Sequence, residues 1–304
     1  MARGHAATLG PPRPDRHGTF GRVIEPIVAV ALVRPGAPDE STVEAAGIPF
    51  HVLSWGDPDA RPLLMLHGVT SNARTWWRVG PALAAAGYRV VAPDMPGHGR
   101  TGHWVGHVAF RDNAADLAEL ARSVFPGRDQ GDVRVVGHSW GGMTAAAFPA
   151  AGYAPARLAL LDPPTLTLAM IEQMIADPTE RRYDDIDEAI SVVGGLNPTY
   201  GYGDVVAKAE ALTQFDEPAV RAILTENGDW DSGLAALAHP AARDVPVRLI
   251  RGDPAWGALV PDAAMPAFAA RLGEENVTTI QNGPHSPQRT HPVETTATLL
   301  RALR

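Results

Sequence analysis

Cysteine is absent from this 304-residue chain, which excludes disulfide bonds, thiolate nucleophiles and cysteine-ligated zinc. Blocks of basic residues are also missing, and the net charge of −8 is spread along the sequence. A chain without a basic patch or stripe does not neutralise nucleic-acid phosphates effectively, so we expect no nucleic-acid partner. The two absences leave chemistry based on hydroxyl, imidazole and carboxyl groups.

Long apolar runs are scarce. The most apolar stretch near the amino terminus, Ile27 to Val33, is far shorter than the roughly 20 residues that span a bilayer, so we predict an edge or core strand and no membrane association. Residues 1–22 are polar, rich in Pro, Gly and Arg, and lack the apolar core of a secretory signal. We expect a flexible extension on a cytoplasmic protein.

Strand-like and helix-like segments alternate through the rest of the chain, and 45% of its residues are hydrophobic, as in an ordinary globular protein. Short apolar segments predict strands at Thr42–Glu44, Phe50–Trp55, Pro62–Leu66, Tyr88–Ala92, Val133–Val136, Arg157–Leu161, Val245–Ile250 and Val277–Ile280. Helical patterns separate most of these strands. The alternation predicts an α/β fold with a mostly parallel sheet covered by helices on both faces.

One long interval, between the strands ending near Leu161 and Ile250, interrupts this alternation. Its pattern predicts four helices, at Thr167–Ile175, Asp185–Val193, Val205–Thr213 and Pro218–Glu226. We predict that residues 163–243 form a helical cap over the carboxyl ends of the strands, where α/β sheets bind ligands. Residues 23–162 and 244–304 then form the core.

The stretch "VRVVGHSWGG" places Ser139 between a valine-rich strand and an alanine-rich helical segment. A turn tight enough to expose a side chain above the sheet needs small neighbours, and Gly137, Gly141 and Gly142 meet that need. The pattern G-x-S-x-G in this context predicts that Ser139 is a nucleophile.

Four motifs in order carry a resemblance to a known family: "LLMLHGVT" at Leu63–Thr70, "VVAPDMPGHGRT" at Val90–Thr101, "VVGHSWGG" at Val135–Gly142 and "GPHSPQRTHP" at Gly283–Pro292. From about residue 43 to its end, the chain resembles α/β-hydrolases of the capped, esterase-like kind. The resemblance implies an α/β-hydrolase fold and a catalytic triad in the order serine, acid, histidine.

The resemblance implies that His285, in a Gly-Pro-rich turn before the last helix, is the catalytic base. It places the acid at Asp253, directly after the penultimate strand, although the spacing around Asp253 departs from the family's usual pattern. Asp162, one strand earlier, is the alternative. We expect His138 to be a buried structural histidine and His291 to lie at the surface, where the last helix begins.

Donors for an oxyanion are also implied by the resemblance. The backbone N–H groups of Val69 and Trp140 are the expected pair, and His67 and Gly68 shape the loop that carries Val69. We expect neither a metal nor an organic cofactor. If Asp253 is the acid, its replacement by Asn lowers the rate more than the same replacement at Asp162.

The substrate is predicted from the nucleophile and from the aromatic residues. A serine at the elbow argues against epoxide and haloalkane chemistry and favours acyl transfer to water. Five tryptophans near strand ends or in the predicted cap favour a small to medium hydrophobic carboxylic ester over a charged substrate: Trp76, Trp77, Trp104, Trp230 and Trp256. Carbon–carbon bond hydrolysis, lactone hydrolysis and non-catalytic ligand binding remain alternatives, and the oligomeric state stays open.

Overall fold

The computed structural model describes residues 24–101 and 108–304, and its centre is an eight-stranded sheet. The strands of this sheet are β1 (Asp39–Ala45), β2 (Ile48–Trp55), β3 (Arg61–Leu66), β4 (Tyr88–Pro93), β5 (Arg134–His138), β6 (Arg157–Leu161), β9 (Val247–Arg251) and β10 (Val277–Thr279). Their order is β1-β2-β4-β3-β5-β6-β9-β10. Both pairings of β2 are antiparallel, and all the other pairings are parallel. The predicted α/β fold with a mostly parallel sheet is confirmed.

Helices cover both faces of the sheet. They are α1 (Pro26–Val33), α2 (Val79–Ala85), α3 (Phe110–Val124), α4 (Trp140–Ala147), α5 (Leu168–Ala176), α6 (Ile186–Leu196), α7 (Tyr202–Thr213), α8 (Glu217–Glu226), α9 (Leu234–Leu237), α10 (Met265–Leu272), α11 (Pro287–Thr290) and α12 (Pro292–Ala302). Helices α2 and α12 contact each other and pack against one face of the sheet. Helices α3 and α4 contact each other and pack against the opposite face.

Strand β3 illustrates how the core forms. Successive side chains of a strand point to opposite faces, so Leu63 and Met65 join the α2 and α12 side of the core while Leu64 and Leu66 join the α3 and α4 side. All four side chains are fully buried. Each contributes about 1.5–3 kcal/mol on burial, and an uninterrupted apolar strand is therefore stable only between two helical layers.

The apolar stretch at residues 27–33, predicted as a strand, is helix α1. Pro26 occupies the first helical turn, where a missing N–H is harmless, and Val28 and Leu32 lie four residues apart on the buried side. They pack against Ala82 of α2. A short apolar run carries no periodicity that separates a buried strand from a helix, which is why the prediction was wrong.

Residues 163–243, called the inserted segment below, lie between β6 and β9 and contain the four predicted helices as α5 to α8. Their ends differ from the predicted ones by up to three residues. A two-stranded antiparallel pair that the sequence did not predict, β7 (Thr165–Leu166) with β8 (Trp230–Asp231), joins the start of the segment to the stretch that follows α8. No helix in the described ranges is long and apolar enough to cross a bilayer.

Candidate active site

Ser139 lies on the turn between β5 and α4 and faces a cavity above the carboxyl ends of the strands. Its backbone angles, φ 55° and ψ −125°, fall in a region that non-glycine residues rarely adopt. Such a conformation costs of order 1–3 kcal/mol and persists only where the surrounding structure enforces it. The strained turn raises the serine hydroxyl above the sheet, as the G-x-S-x-G pattern predicts.

Three glycines make room for this turn. A Cβ on Gly137 would overlap the carbonyl oxygen of Gly141, and one on Gly141 would lie 2.5 Å from the carbonyl oxygen of His67. A Cβ on Gly68 would lie 2.9 Å from the Cβ of Ser139. Any side chain at these positions forces backbone to move, so the glycines are explained by close approach.

His285, in the loop between β10 and α11, bridges the serine and a carboxylate. Its Nε2 lies 3.0 Å from Oγ of Ser139, and its Nδ1 lies 2.6 Å from Oδ2 of Asp162. With a proton on Nδ1, the ring donates to the carboxylate and accepts from the serine hydroxyl. The structure thus brings Ser139 and His285 together, as the sequence predicted, with Asp162 as the third member.

Asp162 directly follows β6 and is fully buried. Besides the histidine, its carboxylate accepts hydrogen bonds from the backbone N–H of Gly252 (3.1 Å) and of Leu259 (2.8 Å). Three donors therefore satisfy a group that would be costly to bury alone. These contacts also restrict the carboxylate to one orientation towards His285.

Asp253 does not take the predicted place beside His285. Its Oδ1 accepts from the N–H of Ala255 (3.0 Å), and its Oδ2 accepts from the N–H of Asn282 (3.2 Å). The side chain therefore caps a short 3₁₀ turn and ties two loops together. Asp162 and Asp253 end neighbouring strands, so sequence position alone did not separate them; the unusual spacing after Asp253 was the one warning signal.

The loop that carries Gly68 and Val69 is held by His67. Its Nδ1–H donates to the carbonyl oxygen of Gly68 (2.8 Å), and its Nε2 accepts from the N–H of Met95 (2.8 Å). Burial lowers the pKa of His67, and the neutral ring that results is the form able to donate at one nitrogen and accept at the other. Val69 lines the cavity beside Ser139.

Trp140 is the first residue of α4, a position whose N–H has no partner within a helix. Trp140 is fully buried, and its indole belongs to the core on the α3 and α4 side of the sheet. With Val69 on the opposite loop, two backbone segments flank Ser139. The assignment of the Val69 and Trp140 N–H groups as oxyanion donors stays a prediction.

His138 is a buried structural histidine, as predicted. Its Nε2–H donates to the carbonyl oxygen of His285 (2.8 Å), and its Nδ1 accepts from the side-chain amide of Gln288 (3.3 Å). Burial holds the pKa of His138 well below its ordinary value. The neutral ring therefore anchors the loop of His285. His291, which precedes α12, hydrogen-bonds the hydroxyl of Thr290 (2.9 Å).

Of the predicted tryptophans, Trp230 lines the cavity. Trp76 is fully buried in the core. The indole N–H of Trp77 donates to the carboxylate of Asp204 in α7. Trp256 is 58% exposed and lies outside the cavity lining. Trp104 lies outside the described residues. A position near a strand end does not determine where a side chain points, so three of these expectations were wrong.

The cavity has a volume of about 910 Å³, a size typical of small-molecule sites. One part of its wall is apolar and comes mainly from the inserted segment: Leu166, Met174, Ile175, Phe215, Val220, Leu224 and Trp230. Another part is polar: Thr70, Ser71, Glu180, Tyr200, Lys208 and Arg289. Sequence reasoning missed the polar part, since its members are scattered along the chain.

Lys208 of α7 connects the inserted segment to the loop beside the nucleophile. Its ammonium group donates to the carbonyl oxygen and the hydroxyl of Thr70 (both 3.1 Å) and to the carboxylate of Glu180 (2.8 Å). Burial alone would raise the pKa of Glu180, but the ammonium group of Lys208 lowers it below its usual value. The ion pair is therefore neutral as a whole.

Comparisons with known proteins identify the family of this chain. Residues 63–299 match the family described as "Alpha/beta hydrolase family". Lipase LipV of Mycobacterium tuberculosis is 28% identical, over 75% of this chain and 87% of that protein.

Two solved structures are similar in fold. E-2-(acetamidomethylene)succinate hydrolase has a TM-score of 0.72 and 19% identity, over 88% of this chain and 99% of that one. A thioesterase domain from the curacin biosynthetic pathway has a TM-score of 0.68 and 23% identity, over 88% of this chain and 100% of that one. The family match extends over most of the chain and includes the segments that carry Ser139, Asp162 and His285. This protein is a member of the alpha/beta hydrolase family.

Proposed function

We propose that this hydrolase cleaves carboxylic esters through a serine nucleophile. The observation that carries the proposal is the continuous chain of hydrogen bonds from Asp162 through His285 to Ser139. A neutral serine hydroxyl is a weak nucleophile, and this arrangement is the one that activates it. The apolar part of the cavity wall suits a substrate with a hydrophobic portion, and we propose that the inserted segment acts as the cap over it.

The first half of the proposed reaction acylates the enzyme. Oγ of Ser139 attacks the ester carbonyl carbon while Nε2 of His285 takes the hydroxyl proton. His285 becomes an imidazolium, and Asp162 stabilises this cation by accepting the hydrogen bond from its Nδ1–H. The backbone N–H groups of Val69 and Trp140 donate to the oxyanion, each lowering the barrier by about 2.7–4 kcal/mol.

The tetrahedral intermediate then collapses. The bond to the alkoxy oxygen breaks, Nε2 of His285 returns its proton to that oxygen, and the alcohol departs. In the second half, His285 takes a proton from a water molecule that attacks the acyl-enzyme. Collapse of the second intermediate frees the carboxylic acid and restores the Ser139 hydroxyl. No cofactor enters any of these steps.

Hydrolysis of p-nitrophenyl esters from acetate to long acyl chains tests the proposal. We expect release of p-nitrophenol by the wild type, a fall of at least about 10³-fold for Ser139→Ala, and unchanged far-ultraviolet circular dichroism. The acyl length that gives the highest kcat/KM measures the apolar part of the cavity.

Equal rates for the wild type and Ser139→Ala would overturn the serine mechanism. If the wild type releases nothing from any ester, lactones and ring-cleavage products with a carbon–carbon bond to hydrolyse are the next substrates to assay. Absence of turnover on all of these would favour a ligand-binding role.

A further inference from the structure

Arg289 is a buried cation in the wall of the cavity that also contains Ser139. It lies on α11, four residues after His285, and is only 4% exposed. Its Nη1 donates to the carbonyl oxygen of Asp204 (3.0 Å), and its Nη2 donates to the hydroxyl of Ser71 (3.4 Å). Both acceptors are uncharged groups, and the carboxylate of Asp204, which is paired with Arg78, attracts the guanidinium group of Arg289 without forming an ion pair with it.

Two other cations in the same region are paired with carboxylates. The guanidinium of Arg78 is paired with the carboxylate of Asp204 (2.5 Å), which also accepts from the indole of Trp77. Lys208 is paired with Glu180. Within residues 24–101 and 108–304, Arg289 has no carboxylate within ion-pair distance, 4.0 Å. One positive charge is therefore left over in this part of the wall.

An unpaired charge is expensive to bury, and a guanidinium group carries five N–H donors in a planar fork that matches a carboxylate. The remaining charged residues of the lining do not meet this need. Asp177, Arg181, Glu217 and Arg221 are all exposed, where solvent and salt screen their charges. An anion that enters the cavity is the partner that the site lacks.

We propose that Arg289 binds a free carboxylate group of the substrate. The substrate class is then an ester that carries, besides the bond to be cleaved, an apolar portion and one acidic group. This inference rests on the proposed ester hydrolysis and replaces the expectation of an uncharged substrate with one of mixed character. The hydroxyl of Ser71, already within reach of the guanidinium group, is a second donor to the same carboxylate.

Paired substrates of equal length test this inference. On the acyl side, p-nitrophenyl hydrogen glutarate is compared with p-nitrophenyl valerate; on the alcohol side, 4-carboxyphenyl butyrate is compared with 4-methylphenyl butyrate. We expect the wild type to prefer the charged member of at least one pair by about tenfold or more in kcat/KM. For Arg289→Gln we expect that ratio to fall by about 10- to 100-fold, the usual range for a hydrogen bond to a charged group.

Two further variants separate charge recognition from a structural effect. Arg289→Lys keeps the charge but loses the planar fork, so we expect an intermediate ratio. Arg221→Gln removes an exposed cation of the same cavity, and we expect it to retain the wild-type ratio. Melting temperatures identify any variant that fails to fold.

Two results would overturn the inference. One is a wild type that prefers neither substrate of either pair, and the other is an equal fall in kcat/KM for both substrates of each pair in Arg289→Gln. If the wild type hydrolyses no ester, the proposed function has failed. A binding measurement then tests separately whether Arg289 binds a carboxylate. Calorimetric titration of glutarate into Ser139→Ala should then show binding that Ser139→Ala/Arg289→Gln has lost. Equal heats of binding in the two titrations would contradict the proposal that Arg289 binds a carboxylate.

Discussion

The cavity has two halves that are built in different ways. The core half consists of strand-end loops. The backbone of its turn holds Ser139, backbone N–H groups hold the carboxylate of Asp162, and these two side chains hold the ring of His285. The inserted half consists of side chains from α5 to α8 together with β7 and β8. The difference teaches that the reacting groups are located by local backbone constraints, while the volume for the substrate depends on how separate helices pack.

The two aspartates give the largest test of this contrast. Asp162→Asn removes the negative charge and leaves one acceptor oxygen for the three N–H donors that Asp162 now satisfies, so His285 loses its orientation and we expect kcat to fall by about 10²- to 10⁴-fold. Asp253→Asn, the matched control, changes a loop cap, and we expect it to alter kcat less than about threefold. Rates are measured on the best p-nitrophenyl ester. A larger loss for Asp253→Asn than for Asp162→Asn would contradict the assignment.

Gly68 tests the backbone side of the contrast. The Cβ introduced by Gly68→Ala lies within 2.9 Å of Ser139, so the loop must retreat from the nucleophile. A displacement of about 1 Å at a reacting centre costs on the order of 100-fold, and we expect a 10- to 100-fold loss, mainly in kcat. Gly36→Ala, with open space around its Cβ, is the control. Wild-type kcat for Gly68→Ala would show that the loop tolerates movement.

Trp230 tests the inserted half. Its indole lines the cavity and packs edge-on against Phe110, with ring centroids 5.0 Å apart. We expect Trp230→Leu to raise KM for hydrophobic esters by about 3- to 10-fold with a smaller effect on kcat, since the pocket loses apolar contact. Trp256→Leu, at an exposed position, should leave KM unchanged. A kcat effect without a KM effect would place Trp230 in the chemistry instead.

The smallest expected effect concerns His98 of the core half, whose protonation makes the stability of the protein depend on pH. The ring is fully buried between His67 and Trp140, and burial lowers its pKa to about 3 from the ordinary 6.5. Because the unfolded chain takes up this proton below pH 6.5 while the folded protein does not, stability falls as the pH drops from 6.5 towards 3.

The contribution of His98 approaches about 1.4 kcal/mol per pH unit in that window. We expect His98→Asn to make the free energy of unfolding in urea fall less steeply between pH 6.5 and pH 5. His239→Asn, at an exposed histidine, is the control. Parallel pH profiles for the wild type and His98→Asn would contradict the prediction.

The sequence predicts a structural feature well where neighbouring residues cause it, and poorly where contacts between distant residues cause it. The alternation of strands and helices and the turn at Ser139 follow from neighbouring residues, so both were predictable. Helix α1 was not, since a short apolar run lacks a distinctive period. The sequence did not separate Trp230, which lines the cavity, from Trp76, Trp77 and Trp256, because the direction of a side chain depends on the packing of distant elements.

The sequence by itself determined the fold class and the turn at Ser139, because glycine spacing and apolar periodicity act over a few residues. Four motifs in order carried the resemblance to the family, and that resemblance indicated His285. Only the tertiary structure decided between Asp162 and Asp253, which end neighbouring strands and differ in where their loops turn. It also placed Arg289 in the wall of the cavity, where no carboxylate of residues 24–101 and 108–304 forms an ion pair with it. Contacts between residues far apart in the chain decide such matters, and no local pattern records them.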